Sequence, residues 1–119
     1  GKLEYELFRN YDEQNRLISK GTYEAFDNSN NKEVFQYDNK NNTTSWTIYK
    51  NEKVLSITEY TYDKKNSLSS ETIYDETRNV LNLKTFEYTY DNNSNWITRK
   101  TIINDTKTFF TSRKIEYYK

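Results

Sequence analysis

Four aspartates, Asp12, Asp38, Asp63 and Asp91, each follow a tyrosine, at spacings of 26, 25 and 28 residues. With the two tryptophans, Trp46 and Trp96, they are the side chains whose type and placement raise the question of chemistry. A pair of carboxylates can hydrolyse a glycosidic bond, one as acid and the other as base or nucleophile. The chain has no His and no Cys. The commonest general base, the nucleophile–His pairings and the His/Cys metal sites are therefore closed to it. The aspartates also occupy the same place in each repeat, inside the turn sequences YDEQNRL, YDNKNNT, YDKKNSL and YDNNSNW. That recurrence is the mark of a cap, with the carboxylate accepting from loop amides. The runs DNSNN and DNNSN hold oxygen ligands of the kind calcium takes, but lack the spacing and glycine of an EF-hand loop. The expectation is a protein that is not an enzyme and holds no metal and no cofactor.

The elements that position these residues follow from the turns. Three residues past each aspartate stand Asn15, Asn41, Asn66 and Ser94. A three-residue hairpin loop needs a left-handed residue there, and Asn is the commonest choice after Gly. Each unit therefore predicts a hairpin, with Tyr11 opposite Leu17, Tyr37 opposite Thr43, Tyr62 opposite Leu68 and Tyr90 opposite Trp96. A second set of turns, DNSNNK at 27–32, KNEK at 50–53, DETRN at 75–79 and NDTK at 104–107, joins one hairpin to the next. The reading is an all-β chain: an antiparallel meander of about nine strands built from four YD hairpin repeats, in a strongly twisted or curled sheet. The strands fall near 3–11, 16–26, 33–37, 43–50, 53–62, 67–75, 80–90, 95–104 and 107–118, and residues 1–119 form a single domain.

Strict alternation along a strand puts every second side chain on one face. It places Phe35, Tyr60 and Tyr88 with the YD tyrosines. By the same count Tyr23, Tyr49, Tyr74 and Ile102, twelve residues past those tyrosines, join them. Trp96 falls on the tyrosine face and Trp46 on the other. At the position of Trp46 the other repeats carry Lys20, Glu71 and Arg99, so Trp46 is expected to be exposed. Trp46 and Tyr49 are the candidate ligand-binding residues, and an exposed Trp is a frequent protein–protein anchor.

Composition limits the partners. Only 33% of the 119 residues are apolar even with Tyr included, yet 17% are aromatic. A disordered chain is poor in aromatics, and an ordinary sandwich has more aliphatic residues. The 18 basic and 18 acidic residues cancel, without the basic excess that nucleic-acid binding calls for. No apolar run is long enough to be a transmembrane segment. The chain begins Gly1-Lys2 without a starting methionine, and a signal or anchor is expected to precede it in the native protein.

YDEQNRLIS at 11–19 resembles the YD repeat of Rhs-type proteins, whose consensus runs roughly Tyr-Asp-x-x-Gly-Arg-Leu. Tyr11, Asp12, Arg16 and Leu17 match it, with Asn15 in the glycine's place. EYTYDNNSNWITRK at 87–100 is similar to the short Tyr-Asp hairpins of Bacteroidetes envelope proteins. The resemblance implies a β-strip, a shape that large toxins wrap into a shell and that elsewhere is often labelled carbohydrate-binding. All four glycines are replaced here, and the chain is too short to enclose anything. The resemblance carries no catalytic residues. It implies an extracytoplasmic module, periplasmic, outer-membrane-anchored or secreted, that contacts a protein or a surface glycan. Two alternatives stand beside it: an immunity protein that neutralises a bacterial toxin, and a structural fragment of a longer YD-repeat protein. The free edge at each end of the sheet also allows self-association.

Overall fold

The computed structural model describes residues 5–114. Nine strands follow one another: β1 (Tyr5–Tyr11), β2 (Leu17–Glu24), β3 (Ser29–Tyr37), β4 (Thr43–Lys50), β5 (Lys53–Tyr62), β6 (Leu68–Tyr74), β7 (Val80–Tyr90), β8 (Trp96–Ile103) and β9 (Lys107–Ser112). They form one antiparallel meander whose spatial order is the sequence order, so β1 and β9 are the terminal strands. No helix among the described residues is long and apolar enough to cross a membrane. The chain divides into two compact units. One holds the described residues up to Glu59 together with Ile73–Leu81; the other holds Tyr60–Thr72 and the described residues from Asn82.

The turns explain the strand boundaries. In the first hairpin the Asp12 N–H donates to the Arg16 carbonyl (2.9 Å) and the Asn15 N–H to the Asp12 carbonyl (3.0 Å). Asn15 sits at φ 61°. Asp12 Oδ1 accepts from the N–H groups of Gln14 (2.8 Å) and Arg16 (3.0 Å). The same bonds recur at Asp38, Asp63 and Asp91, with Asn41, Asn66 and Ser94 left-handed. A fifth turn has identical bonding: Asp75 Oδ1 accepts from Thr77 N–H and Asn79 N–H, both at 2.9 Å, and Arg78 takes φ 65°. Here 75–79 was expected as a connecting turn of another kind. Tyr74-Asp75 carries the same dipeptide as the other four turns, and the cap alone holds the loop even where Arg stands in the left-handed place.

The predicted pairs Tyr11–Leu17, Tyr37–Thr43 and Tyr90–Trp96 are present. One residue further from each turn, however, the register shifts. Asn10 faces Ser19, Gln36 faces Ser45 and Thr89 faces Thr98, so Ile18, Thr44 and Ile97 are each an extra residue in the outgoing strand. A bulge of one residue reverses the faces of everything beyond it. Trp46 therefore lies opposite Phe35, on the Tyr37 face, where unbroken alternation had placed it on the other. Tyr23, Tyr49 and Ile102 move the other way, opposite Glu6, Lys32 and Thr85, away from the YD tyrosines. A second correction concerns β3, which begins at Ser29 rather than at residue 33. The turn closes earlier because Asn28 is left-handed (φ 56°) and Asp27 Oδ1 accepts from Ser29 N–H (3.1 Å). The expected strand residues 3–4 and 115–118 lie outside the described residues.

Among the described residues no apolar side chain is buried; the two buried residues are Ser19, at 8% exposure, and Thr58, at 5%. The sheet takes no described apolar side chain fully out of water, and the chain has few aliphatic side chains with which to fill an interior. Its cohesion comes from backbone pairing and from cross-strand side-chain pairs, each worth roughly 0.2–1 kcal/mol over Ala pairs. Asn side chains extend the pairing at two loops. Asn51 N–H donates to the Asn30 carbonyl while Asn51 Oδ1 accepts from Asn30 N–H, both at 2.8 Å. Asn104 and Leu83 make the same exchange at 2.7 Å.

Candidate binding surface

Each unit is best described from its rings outward. In the first, Phe35 and Trp46 are neighbours across β3 and β4, with parallel rings 6.5 Å apart. Trp46 Nε1 donates to Glu33 Oε1 (3.0 Å), and the residue is half-buried, not the exposed ring expected from its position. Lys20 Nζ lies 6.0 Å from the Phe35 ring and 3.5 Å from Glu33 Oε2. The Tyr37 hydroxyl donates to the Leu17 carbonyl (2.6 Å). Arg16 lies over the Tyr37 ring at 4.9 Å, pairs with Asp12 at 2.7 Å and donates to the Asp38 carbonyl at 3.0 Å, tying the first two YD turns together. Tyr49 sits on the opposite face from Trp46, so the fold does not bring the two candidate ligand-binding residues together.

In the second unit Trp96 packs against Tyr88 with ring centres 6.0 Å apart, and Tyr88 packs against Tyr90 at the same distance. Tyr88 donates to the Leu68 carbonyl (2.7 Å). The Tyr90 hydroxyl donates to Asp63 Oδ2 and lies 3.0 Å from Ser67 Oγ. Burial raises the Tyr90 phenol, and its bond to the Asp63 carboxylate raises it further. Desolvation pushes Asp63 up, but the bonds from Tyr90, Ser67 and Lys65 outweigh it and hold the carboxyl below its usual range. Lys65 lies over the Tyr90 ring and donates to Ser94 Oγ (3.1 Å), so this pair of YD turns is tied as well.

The aspartates thus have a structural role in view. Asp12 is held below the usual carboxylate range first by the Arg16 backbone N–H, Asp38 by that of Asn42 and Asp75 by that of Asn79. Their acceptor oxygens are turned into their own loops. Among the described residues no three Asp, Glu, His or Cys side chains converge as a metal site.

The two units differ in how their ring-bound cations are neutralised. In the first, Arg16, Lys20 and Arg78, which lie over Tyr37, Phe35 and Tyr74, are each paired with a carboxylate: Asp12, Glu33 and Glu59. In the second, Arg99 lies 5.6 Å from the Phe86 ring and 5.5 Å from Trp96, and Arg113 lies 3.8 Å from Trp96. Among the described residues neither forms an ion pair with a carboxylate. Arg99 Nε is buried with no hydrogen-bond partner. Sequence reasoning missed this contrast because the bulge at Ile97 decides that Arg99 shares a face with Trp96.

Compared with known proteins, no family model matches this chain, and no curated protein is significantly similar to it.

Proposed function

We propose that this chain is a non-catalytic binding module, extracytoplasmic in setting, whose sheet presents rings and cations in fixed register to a macromolecular partner. The resemblance of the Tyr11–Leu17 hairpin to YD-repeat β-strips points the same way. The observation that carries the reading is the absence of any buried apolar side chain among the described residues, alongside large hydrophobes left open, such as Leu7 at 64%, Phe26 at 82% and Phe110 at 78% exposure. Open rings such as Phe26 and Phe110 are of the side-chain type enriched where proteins meet. Of the two partner classes, protein is favoured over surface glycan. A sugar needs a free ring face to stack on, whereas the Trp46 ring lies beside Phe35 and the Trp96 ring beneath Arg113.

The unpaired arginines of the second unit favour a further reading, that of a neutralising partner such as an immunity protein, which blocks its target through one complementary face. One experiment separates these. The full chain is used as bait in lysate and culture medium of the source organism, with recovered proteins identified by mass spectrometry and glycans probed on an array. A protein partner recovered reproducibly supports the module. A single toxin recovered one-to-one supports the neutralising role. Glycan binding without a protein partner overturns the preference for protein, and neither would remove the reading.

A further inference from the structure

β9 is a terminal strand, and all six of its residues are exposed. Its outer backbone groups have no strand partner among the described residues. Such an edge is a template for another strand unless the sequence guards against it. Lys107 is the kind of residue that guards an edge, but the middle of β9 carries Phe109 and Phe110, at 53% and 78% exposure, one on each face. A strand meant only to repel would not hold two open rings at its centre.

Charge narrows the choice of partner. From Lys107 to Lys114 the chain reads KTFFTSRK, with three cations and no acid. On one face of β8 and β9, Arg99 is opposite Thr111 and Ile103 is opposite Lys107, and Arg113 lies over Trp96. Arg113 Nε is committed to the Trp96 carbonyl (2.6 Å), which leaves the two terminal nitrogens of its planar fork to meet a carboxylate side-on. A second copy fits poorly, because its free edge β1, YELFRNY, carries one acid and one base. An acidic glycan fits poorly too, because Trp96 offers no open ring and a sugar chain makes no use of a strand edge.

Building on the binding-module reading, we infer that the β9 edge receives an extended acidic segment of a partner protein by strand addition, with carboxylates on alternate residues meeting Arg113 and Lys107. Main-chain hydrogen bonds to β9 supply the docking, and the cations supply the selection.

The test uses the full chain and a fluorescein-labelled nonapeptide alternating glutamate with valine. The expected result is saturable binding that weakens with salt, gains exchange protection at the β9 amides, and falls at least tenfold in the double variant Lys107→Ala/Arg113→Ala. Arg113→Lys, with the point charge kept and the fork lost, should fall between. Circular dichroism checks that the variants fold, and the same peptide with lysine for glutamate should not bind. The inference is overturned by absent binding, by binding that leaves the β9 amides unprotected, by polyglucuronate binding where the peptide does not, or by β9 protection that appears with rising protein concentration alone. If the bait experiment yields a protein partner and the peptide fails, only this inference falls. If both fail, the module reading falls with it.

Discussion

At the scale of single residues, the most constrained position is one without a side chain. Gly21 stands in β2 opposite Phe8 on β1 and Lys32 on β3. A Cβ placed there would lie 2.3 Å from the Asn31 carbonyl oxygen and 2.5 Å from Phe8 Cζ. The Phe8 ring covers the gap that the missing side chain leaves, a pairing that restores some packing to a strand glycine. Two effects oppose each other when Gly21 becomes Ala. The backbone gains, since glycine costs a strand roughly 0.5–1 kcal/mol relative to alanine. The contacts lose, since overpacking costs about 1–3 kcal/mol. A flexible ring can swing aside but a paired carbonyl cannot, so the contact wins. Gly21→Ala is expected to lower the melting temperature by several degrees. Adding Phe8→Ala should not restore it, because the carbonyl contact remains. A melting temperature raised by Gly21→Ala would show that β2 and β3 separate freely at that point.

At the scale of the elements, the aspartate turn is the recurring part, and its chemistry sets a pH dependence. Asp12, Asp38 and Asp75 have carboxyls held below their unfolded value, each chiefly by the backbone N–H four residues on. A depressed folded pKa stabilises above the unfolded pKa, near 3.9, and that stability is lost as pH falls through the folded value. Thermal unfolding should therefore be nearly level from neutral pH to about 5 and weaken progressively below about 4. The triple variant Asp12→Asn/Asp38→Asn/Asp75→Asn keeps an acceptor oxygen in each loop but removes the charge. It should melt lower at pH 7 and show a shallower acid limb; an unchanged limb would assign acid sensitivity to other carboxylates. The turns were legible in the sequence because everything that makes them is local: Asp as cap, Asn or Ser three residues later, and a tyrosine before. That is why strand number and hairpin pairing could be read from spacing. Asp75 escaped because Arg78, not Asn, holds its left-handed place. The faces were not legible. Ile18, Thr44 and Ile97 are ordinary strand residues, and nothing in their type announces the bulge that moves Trp46 beside Phe35 and Tyr49 away from it. The candidate surface failed to read from sequence for the same reason: one inserted residue separates Arg99 as a solvated charge from Arg99 as a neighbour of Trp96.

At the scale of the whole molecule, the decisive quantity is heat capacity. Unfolding an ordinary domain raises it by about 12–15 cal/mol/K per residue, because buried apolar surface meets water while polar exposure subtracts. Here Ser19 and Thr58 are the buried residues and no described apolar side chain joins them. Side chains such as Phe35, Trp46, Tyr88 and Trp96 are only half-buried, so unfolding should release less new apolar area than in an ordinary domain, and calorimetry on a dilute sample is expected to give a value below about 10 cal/mol/K per residue. The measurement gains force when repeated at rising concentration beside sedimentation. A low value independent of concentration, with the mass of one chain, fits a sheet whose faces and β9 edge stay open to a different protein. An ordinary value that grows with concentration as the mass doubles means that copies cover one another. In that case the exposed Phe109 and Phe110 serve self-association, and the acidic partner has no edge left to join. An ordinary value from a dilute single chain removes the open sheet itself, since apolar surface must then be buried in the monomer. The low value is the expected outcome because the sequence has too few aliphatic residues to build a second layer, and fixes its strands instead with capped turns and rings in register.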